Sequence, residues 1–296
     1  MNLAFRLRMA KQKGETLVRE LGIDSLPVDP FAIAARHNIV VEPKRDAAEG
    51  VSGMLLRHGD EFGILYAALV QSEGFQRFSI AHELGHYFLD GHIDHVLPQD
   101  GMHASHAGFV SPDPYELEAD NFASGLLMPA SLFRRALGKH EAGFAAVESA
   151  ASQCRTSLTA TGIRYAELSE DAVAVIVSTG PAIDYCCLSE TMKSLPQLTW
   201  LKRGSPVPRG TATAKLNSDP GRIARADRDE ADIDIMDWLG GSRSAQATEE
   251  VIGLGGYGKT LTVLTCPSIV DETYRDEEDE EDEDDLIERW TPHFRR

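Results

Sequence analysis

Ser79-Ile80-Ala81-His82-Glu83-Leu84-Gly85-His86 is the stretch on which the reading of this 296-residue chain turns. It contains H-E-x-x-H, and its surroundings read as one helix. Phe75 to Leu89 has no proline, Gly85 is its sole glycine, and Gly91 is a natural stop. Residues four apart share a helix face, so the imidazoles of His82 and His86 can bind one metal ion. Zinc held this way lowers the pKa of a bound water to about 7. Glu83, beside His82, can point at the open coordination position, take the water's proton and later return it to a leaving amine. Ile80, Ala81, Leu84, Tyr87, Phe88 and Leu89 supply apolar surface to bury the helix, and Gly85 allows another backbone to come close. The bare five-residue pattern also occurs on surface helices that carry two histidines and no metal. A third ligand would separate the two readings.

Downstream, His92 stands six residues beyond His86, the third-ligand spacing of metzincins, but that pattern needs glycine three residues after the second histidine and Leu89 is there instead. On this ground His92→Ala is expected to leave zinc binding intact. Glu116 is the other candidate. Asp113 reads as a helix N-cap, Pro114 as the first helical residue, and Glu116 follows three after the cap. Asp120 lies one turn further on the same face, where a carboxylate can accept the free ring N–H of a ligand imidazole. Read blandly, Glu116 is only a capping-box glutamate. Glu118 is a weaker ligand candidate, because no carboxylate partner lies in register with it.

Outward from these helices the chain divides into an α-rich first half and an α/β second half, with a boundary near residue 168. Residues 1–24 and Phe31 to His37 read as helices, Ile39 to Glu42 as a strand, and Gly50 to Leu56 with Glu61 to Leu65 as a hairpin across His58 to Asp60. Residues 92–112 read as a loop of about twenty residues, a length that is usually functional. Helical segments fill 130–168. Ala172 to Val177, Ala182 to Leu188, Glu249 to Ile252 and Thr260 to Thr265 then read as strands.

Composition excludes several classes. The apolar fraction is 42%, ordinary for a globular protein, and no run approaches the roughly 18 apolar residues of a membrane span. Met1 to Lys13 builds no long apolar signal-like core, so the protein is expected in the cytoplasm. Cys154, Cys186, Cys187 and Cys266 form no C-x-x-C and read as reduced thiols. The net charge is −18, but Asp271 to Asp285 alone carries twelve acids and one arginine, net −11, leaving an unremarkable −7 for the rest. Asp276 to Asp285 is low in complexity and is expected to be a disordered solvating tail, with a nucleic-acid mimic or a docking brake as the sharper alternatives.

Three further signals are weaker. Gly253-Leu-Gly-Gly-Tyr-Gly258-Lys259-Thr260 fits G-x-x-x-x-G-K-[ST], yet a phosphate loop needs a helix next, and Leu261 to Thr265 reads as a strand. A hairpin with an exposed Lys259 is the expectation. Residues 148–168 have the length of a helix-turn-helix, with Ser157 or Thr159 opening the second helix. Only Arg155 and Arg164 are basic there, which disfavours DNA contact. His95, His103 and His106 read as solvated loop histidines, with a proton donor or transition-state contact as the functional alternative; Tyr115, beside Glu116, has a similar claim.

Three segments together resemble the ImmA/IrrE family of zinc metallopeptidases. Leu26-Pro27-Val28-Asp29-Pro30 through Ala34 and Ile39-Val40-Val41 resembles its N-terminal portion. Arg77 to Tyr87 resembles its active-site helix, and Glu116-Leu117-Glu118-Ala119-Asp120-Asn121-Phe122-Ala123 with Leu127-Met128-Pro129 resembles its E-x-x-A-[DN]-x-F-A…L-M-P segment. The resemblance implies a zincin-like fold in which Glu116 completes a zinc site with His82 and His86. It also implies cleavage of an Xre-type helix-turn-helix repressor. It further implies an α+β organisation: residues 1–132 a zincin-like metallopeptidase domain, 133–168 a helical HTH-like connector and 169–270 a GAF-like sensor domain that takes a small ligand; composition marks 271–296 as an acidic tail. The expected catalytic base is Glu83, the metal ligands His82, His86 and Glu116, and the supporting carboxylate Asp120. The rival functions are a non-catalytic, zinc-stabilised regulator that binds a repressor or other protein, and a nucleotide-dependent enzyme that uses Gly253 to Thr260. Retention of Glu83 argues against the first, because a structural zinc site has no use for a general base.

Overall fold

In the computed structural model the described residues are 2–44, 51–70, 72–97, 101–106, 113–138, 142–242 and 244–267. The acidic run and everything after residue 267 lie outside them. The chain separates into two compact units, Met1–Leu168 and Ser169–Arg296. Among the described residues no helix is long and apolar enough to cross a membrane.

The first unit opens with α1 (Leu3–Glu20), capped by the Asn2 side chain on the Ala4 N–H, and α2 (Pro30–Arg36), capped by Asp29 on the Phe31 N–H. Three strands follow: β1 (Val40–Lys44), β2 (Val51–His58) and β3 (Glu61–Ala67). Next come α3 (Glu73–Phe88), the short α4 (His92–Val96), β4 (Met102–His106), α5 (Pro114–Leu127), α6 (Ala130–Leu137), α7 (Phe144–Cys154) and α8 (Leu158–Leu168). The sheet order is β1-β3-β2-β4, with β1 parallel to β3 and the remaining pairs antiparallel. The expected hairpin is β2–β3, turning at Gly59 with φ +62°.

Residues 92–112 are not the single loop that the sequence suggests. The segment contains α4 and β4; residues 98–100 and 107–112 lie outside the described set. Met102-His103-Ala104-Ser105-His106 carries little β signal of its own and becomes a strand by pairing with β2.

Small residues set the spacing of the helices. A Cβ added at Gly14 of α1 would stand 2.4 Å from the Phe122 carbonyl oxygen, and one at Gly125 of α5 would stand 2.1 Å from that of Lys11. Gly85 of α3 meets the Cα of Ala119 on α5 with 3.0 Å to an added Cβ. Thus α5 lies against α1 on one side and α3 on the other at backbone-contact distance, which larger side chains would forbid. The Gly85–Ala119 contact sits between the two histidines of α3 and the acidic residues of α5.

Helices α7 and α8 are joined by only Arg155, Thr156 and Ser157, and the Ser157 hydroxyl accepts from the Ala160 N–H at 3.2 Å. The two basic residues of this pair are engaged within the unit: Arg155 meets Glu73 at 3.2 Å, while buried Arg164 donates to the Met128 carbonyl and to Glu15 and Glu167.

The second unit consists of β5 (Ala172–Thr179), β6 (Ala182–Leu188), α9 (Glu190–Lys193), α10 (Ala212–Asn217), α11 (Pro220–Ala224), β7 (Arg228–Asp234), α12 (Met236–Leu239), β8 (Gln246–Gly253) and β9 (Thr260–Cys266). They form an antiparallel sheet of order β6-β5-β9-β8-β7. Ala174, Ile176 and Leu264 pack with Met192, Ile235, Trp238 and Leu239 in its core. At the other end of the same face the buried Glu249 carboxylate accepts from the backbone N–H groups of Ala212 and Thr213 and from the Thr213 hydroxyl. Strand β7 is an addition to the sequence reading. Its residues, Arg-Asp-Glu-Ala-Asp-Ile-Asp, look like a charged loop, but the sheet edge tolerates polar side chains on both faces.

The glycine-rich stretch of this unit joins two strands. Gly253 ends β8, Gly255–Tyr257 forms one 3-10 turn, Gly258 has φ +64°, and Thr260 begins β9 opposite Gly253. No helix follows, so the requirement for a phosphate loop is not met. Lys259 is half-exposed, and its ammonium pairs with Asp184.

Candidate metal centre

Helix α3 starts where the Ser72 hydroxyl caps the Phe75 N–H, and its run Ser79 to His86 is buried. The nearly four turns of α5 follow Asp113, whose carboxylate caps the Tyr115 N–H at 2.9 Å. The cap leaves the Glu116 side chain uncommitted to the helix end, and it turns toward α3 instead. His82 Nε2 and His86 Nε2 are 3.0 Å apart. Glu116 Oε2 is 3.3 Å from His82 Nε2, and Oε1 is 3.3 Å from His86 Nε2. Among the described residues these three side chains form a group able to hold a metal ion, with ligand atoms all within 4.8 Å of one another.

The triangle fits zinc on chemical grounds. Four ligands arranged tetrahedrally at the usual Zn–N and Zn–O lengths lie about 3.3 Å from each other. Two imidazoles and one carboxylate are also the donor types of catalytic zinc sites, which keep a fourth position open. A second observation points the same way. Both carboxylate oxygens of Glu83 are buried, and neither makes a well-formed hydrogen bond among the described residues; the Ser105 hydroxyl lies near enough to hold its pKa down somewhat. A buried, unsatisfied carboxylate is costly unless the site uses it.

The electrostatics follow from burial and close contacts. Burial disfavours charge on His82, but hydrogen bonds to Asp120 and Glu116 outweigh it and push its pKa up to about 10. Burial lowers His86 to about 3, offset only in part by Glu116. Burial would raise Glu116, yet hydrogen bonds from His103, His82 and His86 hold it far below the usual carboxylate range. Glu83 is raised by burial to about 6, against the pull of the His82 charge. Coordination through His82 Nε2 needs the neutral ring, so a proton leaves as metal binds.

Asp120 Oδ1 lies 2.8 Å from His82 Nδ1, so the carboxylate sits behind the first histidine rather than the second. Glu118 is turned away from the triangle, toward Arg6 and His92. His92 is not at a ligand position, but neither is it remote. Its Nδ1 is 3.1 Å from His86 Nδ1, on the opposite side of that ring from Glu116. His103, read from sequence as a solvated loop residue, stands on β4 with Nε2 2.9 Å from Glu116 Oε1. No periodic signal could have found it, because β4 exists only through its pairing with β2. His95 stacks on Tyr115 with ring centroids 3.7 Å apart and is itself exposed. The side chain of His106 lies outside the described residues.

Residues 34–143 match the family model described as the IrrE N-terminal-like domain, Peptidase M78. None of the curated proteins matches the chain. Among solved structures, a Mycobacterium tuberculosis transcriptional regulator is similar in fold. It has 14% sequence identity and a TM-score of 0.54, over 87% of this chain and 76% of that one. At that identity the likeness concerns the fold alone.

Proposed function

The chain carries an IrrE N-terminal-like domain of the ImmA/IrrE family at residues 34–143, and from that premise we propose that it is a zinc-dependent endopeptidase acting on an Xre-type helix-turn-helix repressor in the cytoplasm. The observation that carries this reading is the convergence of His82 Nε2, His86 Nε2 and the Glu116 carboxylate beside the buried Glu83, whose oxygens make no well-formed hydrogen bond among the described residues. A site that only held the fold together would gain nothing from that fourth group.

Zinc held by His82, His86 and Glu116 would polarise the peptide carbonyl and make a water acidic enough to attack it near neutral pH. Glu83 receives the proton of the attacking water on a carboxylate oxygen and delivers it to the departing amine nitrogen, so one group serves both halves of the hydrolysis. Asp120 accepts the Nδ1–H of His82 and keeps that ring in the tautomer whose Nε2 lone pair faces Glu116. His103 Nε2 holds Glu116 Oε1 and orients the carboxylate.

The remaining parts of the reading are a peptidase domain at 1–132, a connector at 133–168, a GAF-like sensor at 169–270 and an acidic tail at 271–296. Two short helices joined by three residues support the HTH-like connector, and the five-stranded antiparallel sheet with flanking helices supports a sensor. The test is a purified mixture of the protein, zinc and an Xre-type repressor encoded beside it. Cleavage is expected with the native protein and is expected to fall 10²–10⁴-fold, to about the level set by loss of a general base, in Glu83→Ala. Equal cleavage by Glu83→Ala removes Glu83 from the mechanism, and an intact repressor with bound zinc removes this substrate class.

A further inference from the structure

Behind His86 a line of three side chains, His92, Glu118 and Arg6, runs to the N-terminal helix. His86 Nδ1 is 3.1 Å from His92 Nδ1, and His92 Nε2 is 3.0 Å from Glu118 Oε2. Arg6 of α1 grips the same carboxylate twice, Nε to Oε1 at 2.5 Å and one terminal nitrogen to Oε2 at 2.8 Å. His86 is fully buried and His92 is 2% exposed. Arg6 also lies over the Tyr115 ring at 5.2 Å, and His92 meets that ring edge-on at 4.9 Å. The line therefore ties α1, α4, α5 and α3 together at the second histidine of H-E-x-x-H. Residue 6 precedes the matched family segment, which begins at 34.

We propose that His92, Glu118 and Arg6 are positioning residues for His86, and that helix α1 is thereby a working part of the metal centre. The inference rests on the reading of His82, His86 and Glu116 as the ligands. Because the Nε2 atoms of both histidines converge on Glu116, a ligating His86 carries its proton on Nδ1 and donates it to His92 Nδ1. His92 then carries its own proton on Nε2 and donates it to Glu118. The carboxylate accepts from Arg6 with its other lone pairs, in the bidentate geometry that makes such pairs directional. Each link leaves the next ring one tautomer and one orientation. The two ligand histidines are thus supported differently. His82 is backed directly by the Asp120 carboxylate, whereas His86 is backed by a neutral ring whose carboxylate is neutralised by a guanidinium. The second arrangement fixes the ring without placing another net negative charge beside Glu116 and Glu83.

The test measures zinc dissociation constants of the full chain by competition with a chromophoric chelator. Apo-protein unfolding curves serve as the control for folding. His92→Leu removes the acceptor and is expected to weaken zinc 10–100-fold, the usual cost of losing such a partner. His92→Asn puts an amide oxygen near the place of Nδ1 and is expected to recover most of the loss. Arg6→Met, which leaves His92 in place, is expected to weaken zinc several-fold. In the cobalt-substituted protein the exchangeable N–H resonance of His86 should be protected in the native chain and lost to solvent exchange in His92→Leu, while that of His82 persists. Native affinity in both His92→Leu and Arg6→Met overturns the proposal, and so does an equal loss in His92→Asn and His92→Leu, which marks a packing effect. If His92→Leu fails to fold, Arg6→Met carries the test alone, and unchanged affinity there overturns it. Failure of the underlying reading looks different: zinc then binds the native chain no more tightly than Glu116→Ala, and both inferences fall together.

Discussion

Glu83 lies against Gly53: a Cβ built on that glycine of β2 would stand 2.6 Å from Glu83 Oε1 and 3.1 Å from its Cγ. The carboxylate of the H-E-x-x-H helix therefore occupies the space that any other residue at position 53 would fill. Its own oxygens make no well-formed hydrogen bond among the described residues, with the Ser105 hydroxyl nearby, so this steric slot is a main part of what locates it.

Gly53→Ala is expected to turn the Glu83 side chain away from its present position. Misplacing a reacting group by about 1 Å can cost 10²-fold in rate. We expect kcat for peptide cleavage to fall by about that factor while the zinc dissociation constant stays native. Single-turnover cleavage and a zinc titration on the same preparation check both halves. Native cleavage by the variant would show that Glu83 has room to spare.

Glu116→Ala is expected to abolish tight zinc binding, because it removes one of three ligands. Asp120→Ala should weaken zinc by about 10–100-fold by freeing the His82 ring, whose Nδ1 it meets at 2.8 Å. A metal titration of the two variants decides the order. The assignment fails if Asp120→Ala proves more damaging than Glu116→Ala.

Lys259→Ala should cost less than about 1 kcal/mol, the usual limit for a solvent-accessible ion pair, since the residue is joined to Asp184 at a half-exposed position. Cleavage activity should be unchanged. Thermal unfolding measures the first point. Nucleotide binding by the native protein that disappears in this variant would restore the phosphate-loop reading of Gly253 to Thr260.

Burial pushes the thiols of Cys154, Cys186 and Cys266 up to about 12. A raised pKa means less thiolate at a given pH, and the thiolate is the reactive form. At pH 8 these three should alkylate at least ~10³-fold more slowly than a free cysteine of pKa about 8.5. Mass spectrometry after timed iodoacetamide treatment, with and without denaturant, reads the difference. Rapid labelling of Cys154 in the folded protein would contradict its burial.

Much of the helical framework was legible because its signals are local. Asp113-Pro114 punctuates α5, Gly91 follows α3, and the strand after Lys259 rules on the glycine-rich stretch, each within a few residues of the feature it decides. The strands β4 and β7 were not legible. Met102 to His106 and Arg228 to Asp234 have little apolar alternation, and each is a strand because a neighbour offers it a hydrogen-bonding edge.

The same division runs through the candidate site. The sequence alone determined that His82 and His86 share a helix face with Glu83 beside them, since a four-residue spacing has one geometric meaning on a helix. It could not determine what faces them, because a separation of thirty residues between His86 and Glu116 fixes no direction in space. The tertiary structure decided that. Gly85 lets α5 come within backbone contact of α3, so Glu116 meets both Nε2 atoms and Asp120 meets one Nδ1. Gly14 and Gly125 let α1 close on the other side of α5, and only then does Arg6 reach Glu118 and, through it, His92 and His86. Side chains from positions 6, 83, 92 and 116 are brought together by helix–helix distances that small residues permit, and His103 by the pairing of β4 with β2; both are properties of packing rather than of any local stretch of chain.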